Sequence, residues 1–376
     1  MTQANKSFYT FISIFGDKPG HSVHDVNFYM DVLLASGVDF EYYMPYFSVK
    51  QLENCATNSV IMDVNNDGSW KAAFKMARQI KIKNGSIVIF TGYTEKVVLA
   101  FVLLNLFYSY SLILSATNNF SAGRMLNNKW MLKLFFMAVS HRLVRLVLHS
   151  AKEMELCRSI STRLADKAQI KKHHQMLPRA KIKTTSRIDN KLRISFFGPV
   201  KRGKPLAPLL SLIRSDASAK YNYHVYNVGN IPTGIQDELG SLSNVFLRTG
   251  HMPDSELMQE VQQSYFVFLS HDNWSEGLLS GNLMDCLSNH VPYISGMSQI
   301  NLDYEEQYGS LGITVNFDSD EWPRSFLLSD YSELRQEFVR NIIQLNKSYS
   351  QRELLESCTN SYLIKLKIDR VVKGLI

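Results

Sequence analysis

Twice along its length this chain alternates short apolar, strand-like runs with amphipathic stretches of helical length, and that alternation restricts its fold more than any single motif. In the first half FYTFISIFG reads as a strand, DKPGHSVHD as a loop, and VNFYMDVLLASG as a helix ended by glycine. SWKAAFKMARQIKIKNG is amphipathic at helical period and is closed by Asn84-Gly85; SIVIFTGY follows as a buried strand. Val97 to Leu114 just reaches membrane-spanning length, but Asn105, Ser109 and Ser111 interrupt it, which favours a buried helix running into the strand SLILSAT. A helix around Lys129 to Val139, the strand RLVRLVLHS and the helix AKEMELCRS complete the first run. The second begins at RISFFG and continues through a helix near Leu206 to Ile213, YNYHVYNVG, NVFLRTG, the helix DSELMQEVQQ, YFVFLSH, a helix at Leu283, VPYIS and GITVNF. The tail from about Ser329 reads as largely helical. Strands that alternate with helices in this way build parallel sheets covered on both faces, so the expected class is α/β with two Rossmann-like, doubly wound domains.

Length requires two domains: 376 residues exceed what one ordinary core holds. The first domain is expected over residues 1–176 and the second over 192–348, with a C-terminal helix over 349–376. Between the domains, LPRAKIKTTSRIDNK (177–191) is polar, basic and aperiodic, as a linker is. An apolar fraction of 45% excludes wholesale disorder. The net charge of +7 is uneven: residues 1–190 hold 24 Lys and Arg against 13 Asp and Glu, whereas residues 191–376 hold 17 against 21. A basic first half calls for an anionic partner, and phospholipid, a lipid pyrophosphate or nucleic acid would each satisfy the charge. No nucleic-acid reading motif accompanies it. Arg124, Lys129, Trp130, Lys133, Arg142 and Arg145 are interleaved with Leu, Phe and Met, a pattern suited to lying on an anionic membrane surface. The opening MTQANKSF has neither the basic start nor the apolar core of a secretory signal, so the expected location is cytoplasmic, peripheral on the inner face of the membrane. Cys55, Cys157, Cys286 and Cys358 are scattered without metal-ligand spacing and read as reduced thiols. Asp318-Ser319-Asp320 reads as a metal-type Asp-x-Asp but follows a late strand far from both phosphate patterns, and His173-His174 beside Lys171 and Lys172 mimics a metal or nucleic-acid cluster but reads as a solvated strand end, so no metal is expected.

Two phosphate-facing patterns bracket the second half. FFGPVKRGK (Phe196 to Lys204) is an apolar strand that breaks at glycine into a basic loop. SEGLLSGNLMDCLSNHVPYIS (Ser275 to Ser295) is a Gly/Ser turn, a short helix carrying Asp285, and a new strand. A strand, a basic loop and a helix N-terminus aimed at one crevice hold a nucleotide diphosphate in α/β domains. In the first half GDKPGHSVHD (Gly16 to Asp25) is a Gly/Pro-rich loop at a strand's C-terminal end, offering His21, His24 and Asp25 as bases or phosphate contacts, with helix capping by His24 and Asp25 as the alternative.

The order and spacing of these patterns resemble the C-terminal donor domain of the GT-B glycosyltransferases, in particular bacterial glycosyltransferase group 1-like enzymes that build surface polysaccharides. Gly198 matches the glycine of the family's FFG-x-IR-x-YKG pattern, Lys201 falls where the family has Arg, Lys204 matches its Lys, and Pro205 replaces its second glycine. Asp285 occupies the position of the family's second glutamate, while Glu276 lies nine residues upstream where eight is the common spacing. YNVGN, with Gly229, and RTGHMPDSEL match the family's glycine-ended strand and helix entry. The resemblance covers about residues 192–300 and implies a transfer of sugar from a nucleotide diphosphate sugar to a lipid-linked or growing surface glycan: O-antigen, capsule or exopolysaccharide. It implies that Gly198, Lys201, Lys204, Gly229, His251, Met252, Ser280, Gly281 and Asp285 bind the donor and that Glu276 lies near the transferred sugar. Gly16, Asp17 and His21 would then face the acceptor, with His24 or Asp25 as a base. The acidic segment implies a retaining enzyme; the altered spacing leaves inversion open, with a base from the 16–25 loop. Such enzymes use basic side chains and a helix dipole in place of a metal, so neither metal nor cofactor is expected. In them the last helices cross back to the first domain. A sugar-nucleotide 2-epimerase and a catalytically silent GT-B-like membrane or assembly partner are the alternatives.

Overall fold

The structure, a computed structural model, describes residues 8–14, 33–34, 38–45, 59–63, 67–116, 119–171, 192–198, 200, 205–227, 231–250, 252–271, 280–348 and 360–363. The chain divides into two compact units, one formed by Met1–Phe120, Arg124–Gln175 and Gln351–Ile376, the other by Ser121–Gly123 and Met176–Ser350.

The first unit is built on seven strands, β1 (Phe8–Ser13), β2 (Asp39–Pro45), β3 (Ser59–Met62), β4 (Ser86–Gly92), β5 (Tyr110–Ser115), β6 (Leu143–Leu148) and β7 (Ala168–Ile170). They lie in the order β3-β2-β1-β4-β5-β6-β7 with every pairing parallel. Among the described residues five helices accompany them: α1 (Trp70–Gln79), α2 (Glu95–Leu104), α3 (Ala122–Val139), α4 (Ala151–Ile160) and α5 (Thr162–Ala165). Strands buried on both faces must be apolar throughout, and β4 and β5 meet that demand with Val88, Ile89, Phe90, Leu112, Ile113 and Leu114 fully buried. Each such side chain contributes about 1.5–3 kcal/mol on burial. Helix α1 stops at Gln79, well before Asn84-Gly85. Ile80 turns extended and buries its side chain, and the Tyr43 hydroxyl bonds both the N–H and the carbonyl of Lys81 at 3.1 Å, holding this stretch out of the helix. Val97 to Leu114 is split between α2 and β5 by the turn at 105–109. Among the described residues no helix is long and apolar enough to cross a membrane. Residues 360–363 join this unit: Tyr362 is fully buried and edge-on to Phe11, and the Tyr9 hydroxyl donates to the Leu363 carbonyl at 3.1 Å.

The second unit repeats the topology with β8 (Leu192–Phe197), β9 (Tyr221–Asn227), β10 (Val245–Thr249), β11 (Phe266–Leu269), β12 (Tyr293–Gly296) and β13 (Gly312–Val315), ordered β10-β9-β8-β11-β12-β13 and all parallel. Its helices are α6 (Ala207–Ser215), α7 (Thr233–Ser241), α8 (Asp254–Gln262), α9 (Gly281–Ser288), α10 (Gln299–Tyr308), α11 (Trp322–Leu328) and α12 (Ser332–Ser348). Period-two alternation decides what each face of β8 and β9 meets. Ile194, Phe196, Tyr221, Tyr223 and Val225 enter the apolar core with Leu209, Ile213, Phe268 and Phe326. Arg193, Phe197, His224 and Tyr226 share the other face with residues of α8.

The α/β class and the two doubly wound domains stand as expected from the sequence. Strands β2, β3 and β7 and helices α7 and α10 went unread, because their apolar residues are too few or too short-spaced to stand out.

Candidate functional site

In an open parallel sheet, ligands bind where the strand order reverses, outside the C-terminal ends of the strands. In the second unit that point lies between β8 and β11. Strand β8 ends at Phe197, and Gly198 turns the chain at φ 102°, a left-handed conformation that suits glycine. The Gly198 N–H donates to the Tyr226 carbonyl at 3.0 Å, which extends the pairing with β9 by one residue.

The N-terminus of α9 is tied to this turn. The Asn282 side-chain amide donates to the Phe197 carbonyl at 2.6 Å, and a Cβ on Gly198 would lie 3.7 Å from the same amide nitrogen, an ordinary contact. Ser280 is the N-cap: its φ and ψ are extended, its hydroxyl accepts from the Leu283 N–H at 3.3 Å, and its carbonyl accepts from the Met284 N–H at 3.1 Å. The N–H groups of Gly281 and Asn282 belong to the first turn, which has no intrahelical acceptors. Together with the helix dipole they make this end of α9 attractive to an anion. The rest of α9 is sunk: Leu283 through Ser288 are buried, Asp285 among them. Burial, helped by Asp285, pushes the Cys286 thiol up, which keeps it protonated and inert.

Behind β8 and β9 a polar network supports the strand ends. Arg193 pairs with Glu260 of α8 and donates to the Tyr226 hydroxyl at 2.6 Å and to Gln263 at 2.8 Å. The Tyr226 hydroxyl in turn donates to Glu260, and His224 Nδ1 lies 3.1 Å from it. Burial, with Arg193 nearby, pulls His224 down to about 4, so it is neutral at physiological pH. The Phe197 and Tyr226 rings stack at 5.1 Å, 4° from parallel, just before the Gly198 turn. Gly250, at φ 100°, ends β10 in the same manner as Gly198, and the Met252 side chain is buried where the chain enters α8.

The structure thus brings Gly198, Ser280 and Gly281 to one strand edge, with Asp285 buried one turn further into α9. Lys201, Lys204, Gly229, His251 and Glu276 lie outside the described residues, in segments that follow β8, β9 and β10 or precede α9. Gly16, Asp17, His21, His24, Asp25 and the 177–191 linker also lie outside them. Sequence reasoning missed Asn282 and the Arg193–Tyr226–Glu260 network. Asn282 had a signal, as the polar residue at the second position of a helix whose first turn is otherwise glycine, leucine and methionine.

The C-terminal edge of the first sheet gathers polar residues of which only Arg124 was singled out, as part of the membrane-facing stretch, and the structure instead pairs it with Glu95. Glu95, at the start of α2, pairs with Arg124 and accepts from Asn119 at 2.8 Å. Ser115 at the end of β5 lies 3.4 Å from His149 Nε2, and Glu153 accepts from the His149 backbone N–H. Burial raises Glu153 to about 8, against the opposing pull of the His149 and Ser150 backbone groups. Among the described residues no group of His, Cys, Asp and Glu could hold a metal ion.

No family model matches this chain, and no curated protein matches it. Solved structures do. The Anabaena protein HepE, solved in complex with UDP-glucose, superposes over 98% of this chain and 99% of its own with a TM-score of 0.65 at 12% identity. The sucrose-phosphate synthase of Thermosynechococcus elongatus covers 92% and 98%, with a TM-score of 0.64 at 10% identity. WaaG, a glycosyltransferase involved in lipopolysaccharide biosynthesis, covers 94% and 98%, with a TM-score of 0.61 at 13% identity. At such identities the likeness establishes the fold, and the fold of this chain is that of the GT-B glycosyltransferases.

Proposed function

We propose that this protein is a glycosyltransferase that moves a sugar from a nucleotide diphosphate sugar onto a lipid-linked or growing surface glycan, such as O-antigen, capsule or exopolysaccharide. The observation that carries the reading is the capped N-terminus of α9, tied through Asn282 to the glycine turn at the switch point of the second sheet. There a pyrophosphate would meet oriented N–H groups, with Lys201 and Lys204 three and six residues beyond Gly198 in the chain. HepE is solved with UDP-glucose, and WaaG takes part in lipopolysaccharide biosynthesis; both support the reading.

In the proposed reaction the bond between the sugar C1 and the β-phosphate oxygen breaks, an acceptor hydroxyl takes C1, and its proton leaves to the departing phosphate or to a base. Negative charge grows on the pyrophosphate, and the donor residues Gly198, Lys201, Lys204, Ser280 and Gly281 would stabilise it without a metal or cofactor. Asp285 would serve the ribose, backbone around Gly250, His251 and Met252 would flank the base, Gly229 would contact the donor from the end of its strand, and Glu276 would lie near the transferred sugar with retention of configuration. Gly16, Asp17 and His21 would meet the acceptor, with His24 or Asp25 as a base. The enzyme would work in the cytoplasm, peripherally on the inner face of the cell membrane. A silent GT-B-like partner would need none of the donor contacts, and an epimerase would need no lipid-linked acceptor.

Calorimetric titration with UDP, GDP, CMP, dTDP and ADP, with and without EDTA, tests this. Binding of one diphosphate, indifferent to EDTA and weakened at least tenfold by Lys204→Ala, is the expected result. Failure of every nucleotide to bind a folded preparation would remove the donor reading.

A further inference from the structure

Helix α3 carries apolar residues on two opposite faces. Its inner face, Met125, Leu132, Phe135, Phe136 and Val139, is buried in the core of the first unit. After the non-helical turn at Asn128, its outer face presents Trp130, Leu134 and Met137 at helical spacing, 64%, 53% and 63% exposed, with Lys129 and Lys133 exposed beside them. A helix serving only its own core needs no second apolar stripe.

A neighbouring segment repeats the anomaly. The end of α2 and the turn after it expose Leu103, Leu106 and Tyr108, and leave Phe107 completely open to solvent. The two segments meet at one end of the sheet. Strands β5 and β6 are paired, α2 leads into β5 and α3 into β6, and Arg142 at the start of β6 donates to the Leu106 carbonyl at 2.8 Å. The 103–108 segment and the C-terminal end of α3 therefore lie at the N-terminal edge of the sheet, the end opposite His149, Glu95 and Arg124, and the stripe from Trp130 to Met137 leads along α3 towards it. Exposed apolar side chains concentrated on neighbouring segments mark an interaction surface.

Charge selects the partner. From Lys96 to Lys152 the sequence contains no Asp or Glu, and Lys129 and Lys133 stand exposed beside the apolar stripe itself. A two-fold contact with a second copy would set these cations against one another. An anionic bilayer meets every term: Trp favours the interface, lysines can extend to headgroups while their stems stay in the apolar layer, and Phe and Leu enter the acyl boundary. We propose that the outer face of α3 from Trp130 to Met137, together with the 103–108 turn, is an in-plane docking surface for anionic phospholipid. The proposal deepens the membrane part of the reading above and rests on it there alone; it does not depend on which nucleotide is bound.

Co-sedimentation with phosphatidylcholine vesicles, with and without 30 mol% phosphatidylglycerol, tests the surface on the full-length protein. Two variants are compared, the triple change Trp130→Ser, Leu134→Ser and Met137→Ser and the double change Lys129→Glu and Lys133→Glu, each checked for an unchanged melting temperature. The wild type should bind the anionic vesicles at least tenfold more tightly than the neutral ones. The triple variant should lose most binding at any salt concentration, and the double variant most of its anionic preference. Full retention by both folded variants would overturn the proposal. So would a wild type that ignores vesicles but sediments as a dimer which the triple variant converts to monomer, because a second copy would then cover the face. UDP titration of the same samples separates the two readings: vesicle binding lost with nucleotide affinity intact speaks only to this surface.

Discussion

Glu153 in the first unit and Asp216 in the second are both buried carboxyls, and the two are treated in opposite ways. In the second unit Asp216, at the end of α6, accepts from the backbone N–H groups of Lys220 and Tyr221 at 2.9 and 3.0 Å, the Tyr223 hydroxyl at 3.0 Å and the Ser218 hydroxyl at 3.2 Å. In the first unit Glu153 sits wholly buried in α4, and burial outweighs its backbone partners so far that the carboxyl stays protonated at neutral pH. Asp216 is a rivet that joins helix, turn and strand. Glu153 is a neutral acid whose ionisation the fold opposes. Two sheets of the same strand order can therefore differ in whether a buried acid stabilises the unit or limits its pH range.

The largest effect expected follows from Glu153. Its folded value of about 8 lies above the ordinary 4.5, so the folded protein holds a proton that the unfolded chain releases. Stability from this group is greatest below pH 4.5 and falls as pH rises towards 8, by about 1.4 kcal/mol per unit and about 5 kcal/mol in all. Glu153→Gln should abolish that slope, so that the variant gains on the wild type from pH 5 to pH 8 and the gap flattens beyond. Urea unfolding at four pH values reads this, and parallel curves would show that Glu153 ionises normally. Asp216→Ala should cost about 3 kcal/mol at pH 7, because several buried donors lose their acceptor at once. A loss below 1 kcal/mol would erase the contrast between the two carboxyls.

Smaller effects sharpen the comparison at the strand edges. Asn282→Ala should cost about 1–2 kcal/mol by leaving the Phe197 carbonyl without its donor. It should also weaken nucleotide diphosphate binding more than it lowers the melting temperature suggests, since the helix end is then free to shift from Gly198. Unchanged nucleotide affinity would make the tie purely structural. Ser280→Ala should cost about 1 kcal/mol through loss of the N-cap, measured as a fall in the urea midpoint.

Much of the architecture could be read from the chain because parallel sheets need unbroken apolar strands, and runs such as SIVIFTG, SLILS and SFF are hard to mistake. Gly198 and the Ser280-Gly281 helix start were legible for a related reason: a sharp turn and a cap each restrict residue type. Asn282 and Arg193 were not. Their partners, Phe197 and Glu260, are far away in sequence, and side-chain bonds of that range leave no periodic trace.

By itself the sequence determined the α/β class, the two doubly wound domains, the basic first half and the glycine and serine positions at the second switch point, all of which depend on local pattern and composition. Only the tertiary structure decided which face of α3 was spare, since inner and outer residues of that helix are equally apolar. It alone decided that Glu153 is neutral while Asp216 is bonded on every side, because a carboxyl's state depends on the dielectric and the donors that the folded chain assembles around it.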